Sequence, residues 1–215
     1  LEGARSGEAG VLSLLDDLGR PMATPSANDV LASLFEDASL VDAVGRFAPR
    51  VHHAGFIAPR GLGARAVEAV LRKSPFRDQL TTFKSAILAK DLSCRLRREV
   101  EVVVVQGSVA AREVRCPAVE VFIADLPPQT IDGLVSEEIG CHVALALEPD
   151  GSIDRVRHVL HAHGCWEIPL MRHGPLANHE IRASVLYVDV SGRERTRRLE
   201  FITSRWAPDV VAEPG

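Results

Sequence analysis

The stretch "REVEVVVVQGSVAAREVRCP", residues 98–117, decides how the rest of the chain is read. It reads as two strands around the turn Gln106-Gly107-Ser108. Side chains alternate along a strand, so Arg98 shares a face with Val100, Val102 and Val104, while Arg97, Glu99 and Glu101 take the other. If the apolar face is the core face, Arg98 points inward at the end of a buried row. A buried arginine needs a partner, because an unpaired charge in the core is very costly. The partner is then a protein carboxylate or a ligand's, which the planar guanidinium grips with two bonds. The plainer alternative is a frayed strand end whose arginine reaches water.

On the N-terminal side, residues 1–27 read as a weakly ordered leader containing Pro21 and Pro25. "NDVLASLFEDASLVDAVGRF" is helical in spacing, with Asn28 as a cap and Val30, Leu31, Leu34 and Phe35 on one face. "HHAGFIAPRGLG" is punctuated as a loop, "ARAVEAVLRK" is a short helix, and "FRDQLTTFKSAILAKD" reads as a further helix. On the C-terminal side the period is two. "CHVALALE" is a strand ending at "PDGS", and strands near 182–190 and 195–203 flank Ser191-Gly192. No internal repeat is visible. Helices first and strands later predict an α+β fold: one domain over 28–210, with a helical N-terminal third (28–91) and an antiparallel sheet (92–206) with helices on one side.

Composition narrows the function classes. The 215 residues are 46% hydrophobic, carry a net charge of -4 and are 5% aromatic. No basic excess and few stacking platforms argue against nucleic acid. No apolar run is long enough for a membrane span, and the first residues lack a signal-peptide pattern. The four cysteines, Cys94, Cys116, Cys141 and Cys165, form no CxxC pair and read as free thiols of a cytoplasmic protein.

"RREVEVVVVQGSVAAREVRCP", "EEIGCHVALAL" and "YVDVSGRERTRRLEFIT" together resemble the chorismate pyruvate-lyase fold over roughly residues 75–206. The likeness lies in an arginine opening a strand, a glycine turn, a glycine segment before a strand, and a glutamate in the last hairpin. Glu138 stands where that glycine segment has proline, and Cys141 where it has a basic residue. The resemblance implies that Arg98 holds the substrate carboxylate, the backbone at Ile139-Gly140 lines the pocket, and Glu200 is the acid–base carboxylate. It implies a lyase that releases pyruvate from chorismate or a related enol-ether acid, with no cofactor and no metal. The partner expected is a small aromatic or enolpyruvyl acid. A non-catalytic module of the same fold, binding a small acid or another protein, is the alternative. By residue pattern alone, Glu200 is equally a surface carboxylate paired with Arg193, Arg195, Arg197 or Arg198.

"HVLHAHGC", residues 158–165, is the other chemical candidate. On a strand His161, His163 and Cys165 share a face, but alternate residues are about 7 Å apart and rarely close on one metal. On a helix from Ser152, His158 and His161 fall at i, i+3. His52, His53, His173 and His179 are further candidates, and no recognised metal-ligand spacing is matched. "PRGLGARAVEAV" lacks the Lys-Ser/Thr ending of a phosphate loop and reads as a loop and helix start.

Overall fold

The structure is a computed structural model. It describes residues 9, 11–12, 15, 27–109, 118–137, 139–148, 153–164, 166–167, 184–191 and 196–203. The elements in chain order are α1 (Ala27–Leu34), α2 (Ala38–Gly45), β1 (Arg50–Ile57), α3 (Ala64–Leu71), β2 (Asp78–Lys84), α4 (Ala86–Leu96), β3 (Val102–Ser108), β4 (Ala118–Ala124), α5 (Pro128–Ser136), β5 (His142–Ala146), α6 (Ile153–Ala162), β6 (Trp166–Glu167), β7 (Ser184–Ser191) and β8 (Thr196–Thr203). They fall into two compact units. The first comprises residues 1–24 and 53–141, the second residues 25–52 and 142–215.

In the first unit the strand order is β2-β3-β4-β1. β2 and β4 flank β3 antiparallel, and β1 runs parallel to β4 with His53 opposite Ala118 and Gly55 opposite Glu120. One face of this sheet is apolar at one end. There Ile57, Val102, Val104, Phe122 and Ala124 pack with Leu88 and Leu92 of α4 and Leu134 of α5. On the opposite face Val105, Val119 and Val121 are fully buried, which is the face left for α3, in contact with β2 and β3.

The second unit repeats the plan as β5-β8-β7-β6. β5 is parallel to β8, and β7 is antiparallel to both β8 and β6. Leu145, Leu186, Val188, Leu199 and Phe201 are buried, and Ile153, Val156 and Leu160 form the buried side of α6, which touches β6 and β7. α2 packs on α6 and on α1. Asp37 caps α2, accepting from the backbone of Ser39 and Leu40, and its other oxygen meets His163 Nδ1 at 2.8 Å.

These findings correct the antiparallel sheet with helices on one side. The sheet is mixed, because the first strand of each unit pairs parallel with the last. The helical N-terminal third is corrected too, since it holds β1 and β2. β1 sits in the segment read as a loop: "RVHHAGFI" hides its alternation behind two histidines and Gly55. β2 sits in a segment whose Phe76, Leu80 and Phe83 happen to fall at helical spacing. Thr81 and Thr82 suit a pleated strand, and pairing with β3 decides the conformation. The long N-terminal helix is two helices, and the cap that matters is Asp37 of α2. The strands expected near 182–190 and 195–203 are β7 and β8, and "CHVALALE" supplies β5.

The turn expected at Gln106-Gly107-Ser108 is instead the end of β3, with Gly107 opposite Val119. Glycine is needed there for close approach: a Cβ would overlap the Phe76 carbonyl oxygen. The return strand expected over 109–116, the leader and "PDGS" lie outside the described residues, apart from Val109 and a few leader positions.

Candidate functional site

Arg98 does not open β3. Helix α4 runs to Leu96, and Arg97 closes it in the left-handed conformation at φ 52°. The Arg98 backbone N–H then bonds back to the Ser93 carbonyl. Its side chain is exposed and donates to the Asp125 carbonyl at 3.4 Å. Arg98 reaches water, as the plainer reading expected, but just past a helix end and not at a strand end, and the inward row begins at Val100, which is 4% exposed. Ile139 and Gly140 follow α5. The Ile139 N–H bonds to the Leu134 carbonyl, and Gly140 adopts φ 80° against Ile57 and Leu88. Arg98, Ile139 and Gly140 belong to the first unit and Glu200 to the second.

Glu200 is buried, at 5% exposure, between Leu199 and Phe201. Both faces of this part of β8 are covered, so face parity alone does not mark it as a surface group. Its Oε2 stands 3.3 Å from Nε2 of His142, another buried side chain. His142 lies opposite Arg198 in the parallel pair of β5 and β8, and Glu200 lies opposite Ala144. The histidine and the glutamate thus project from one face, two residues apart along the ladder.

The first unit contains the same arrangement. His53 lies opposite Ala118, and Glu120, two residues on, lies opposite Gly55. His53 Nε2 and Glu120 Oε2 are 3.8 Å apart, with side chains 5% and 16% exposed. Each pair sits on the last strand and the first strand of its unit, and a small residue, Gly55 or Ala144, faces the glutamate. A buried carboxylate is costly unless it is paired or coordinates a metal. Two ligands bonded to one ion at roughly 2.0–2.2 Å are held roughly 3.0–3.4 Å apart at right to tetrahedral angles. The His142–Glu200 distance falls in that range, and the His53–Glu120 distance lies a few tenths of an ångström above it.

Sequence reasoning found Glu200 through the family resemblance, weighed His53 as one of several histidines, and passed over Glu120 and His142. A usable signal is present: one glutamate between apolar neighbours on a strand, in "VEVF" and "LEFI". The histidine cluster, by contrast, lies on and just beyond α6. His158 is exposed, His163 is committed to Asp37, and Cys165, His173 and His179 lie outside the described residues. Cys94 and Cys141 are free thiols, and Cys116 also lies outside the described residues. Among the described residues no helix is long and apolar enough to cross a membrane.

No family model matches the sequence, and no curated protein matches it. Among solved structures, a xylose isomerase-like TIM barrel/4-hydroxyphenylpyruvate dioxygenase fusion protein is similar at 12% identity and a TM-score of 0.41. The match covers 78% of this chain and 27% of that one. At that score the likeness carries no argument about fold or function.

Proposed function

We propose that the His–Glu pair of each unit, His53 with Glu120 and His142 with Glu200, supplies ligands for a divalent metal ion. The observation that carries this reading is the repetition of one buried or half-buried His–Glu pair, at one strand register, in both units. An imidazole and a carboxylate are ordinary ligands of such an ion, and water or substrate oxygens complete its coordination. A donor set of nitrogen and oxygen without thiolate suits manganese, iron, cobalt or zinc.

Protein stripped with a chelator and titrated by calorimetry with Mn²⁺, Co²⁺ and Zn²⁺ should bind saturably. His53→Ala and His142→Ala should each reduce that binding. If none of the three ions binds the wild-type chain, the reading is lost.

The metal-free lyase remains a second reading, favoured by the burial of Glu200 beside the imidazole of His142, a suitable setting for an acid–base carboxylate. Pyruvate release from chorismate that persists in excess chelator would support it over the metal reading. Intact chorismate under both conditions would end it.

A further inference from the structure

We infer that Gln106 is a positioning residue that fixes which oxygen of Glu120 is presented to the metal. The inference rests on the metal reading of His53 and Glu120 and adds to it a group that touches no ion. Gln106 lies opposite Glu120 on β3, and Thr81 lies opposite Gln106 on β2, so the three form a row across neighbouring strands. The Gln106 Nε2 donates to Glu120 Oε1 at 3.4 Å. The Thr81 hydroxyl donates to Gln106 Oε1 at 3.3 Å. These two bonds agree on the orientation of the amide. Turned over, it would set its oxygen against a carboxylate oxygen and its NH₂ against a hydroxyl that can only then accept.

The row divides the two oxygens of Glu120 between two tasks. Oε1 is held by the amide, and Oε2 is the oxygen beside His53 Nε2. A carboxylate with one oxygen so occupied coordinates through the other and keeps a fixed rotamer. Partners of this kind around a metal ligand are commonly worth 10–100-fold in affinity. The denticity of Glu120 is thereby set by its neighbour on β3.

Co²⁺ titration of the chelator-stripped full chain, followed by calorimetry and by visible absorption, tests this. Gln106→Leu and Gln106→Met should bind Co²⁺ about 10–100-fold more weakly than wild type. At saturation their cobalt bands should differ from wild type, because a freed Oε1 can also turn to the ion and raise the coordination number. The metal-free variants should unfold at the wild-type midpoint, a result that a purely structural role for Gln106 would not give. Thr81→Val should show a smaller loss of affinity in the same direction. Thr81 is exposed, so this variant decides the matter if the Gln106 variants do not fold.

If wild type binds Co²⁺, and the folded variants bind it equally well with the same spectrum, the positioning role is overturned and the metal reading stands. If wild type and variants alike bind no Co²⁺, both fall together.

Discussion

At Gly107 a single methyl group would overlap the carbonyl oxygen of Phe76, a backbone atom that cannot swing aside. Gly107→Ala should therefore destabilise the protein by about 3 kcal/mol, the upper end for forced overpacking. Gly133 offers the control. It lies within α5 with nothing within 4 Å of the position a Cβ would take, so Gly133→Ala should stabilise by about 0.5–1 kcal/mol. Urea denaturation of the two variants checks both signs. Asp37 makes a pH prediction. Hydrogen bonds from the Ser39 side chain and backbone, then from Leu40 and His163, hold its carboxyl down to about 2. A group with a lowered folded-state value contributes stability above its unfolded value near 3.8 and loses it as pH falls toward 2. Asp37→Asn keeps a capping oxygen and should lose this acid-limb dependence, whereas Asp37→Ala should also lower the Tm at neutral pH. Thermal melts from pH 2 to 7 separate the two effects; identical acid limbs in wild type and Asp37→Asn would remove Asp37 as their source.

The helix end before β3 shows what a residue pattern conveys about elements and what it hides. The valines of residues 102–105 announce a strand, and a strand is there. Its start is set by Arg97, which closes α4 in a left-handed conformation that no alternation of side chains reveals. That closure carries Arg98 out to solvent and moves the candidate ligand off the strand. The same limit applies to β2, where apolar residues match a helical period and the partner strand decides. It applies again to β1, whose histidine and glycine break the pattern for reasons that lie across the sheet at Glu120. Strands carrying regular alternation, β5, β7 and β8, were legible. Parallel pairing between distant segments was not, because it leaves no turn in the sequence to mark it. The prediction at this scale concerns the closure itself. A left-handed conformation costs an L residue about 1–2 kcal/mol, and glycine avoids that while losing more chain entropy on folding. Arg97 is exposed, so Arg97→Gly should raise stability by about 0.5–1 kcal/mol with no loss of packing. A decrease measured by chemical denaturation would mean that the arginine side chain contributes more than its strained backbone costs.

For the molecule as a whole, the repeat is the main fact behind the proposed function. Two units of one strand plan each place a histidine on the first strand and a glutamate two ladder positions away on the last. The sequences of the units hide this relation, since only the histidine, a small residue and an apolar-flanked glutamate correspond. Each unit then carries metal ligands of its own, so removing one pair removes the part of the metal effect that this pair supplies. A ligand that binds only the folded chain adds about 2.7 kcal/mol when present at 100 times its Kd. Wild-type protein at that excess of Zn²⁺ should therefore melt several degrees higher than the chelated protein. In His53→Ala and in His142→Ala the increment should fall. Calorimetric melts of the three proteins with and without Zn²⁺ measure it. An undiminished shift in both variants would remove the two His–Glu pairs as the metal ligands.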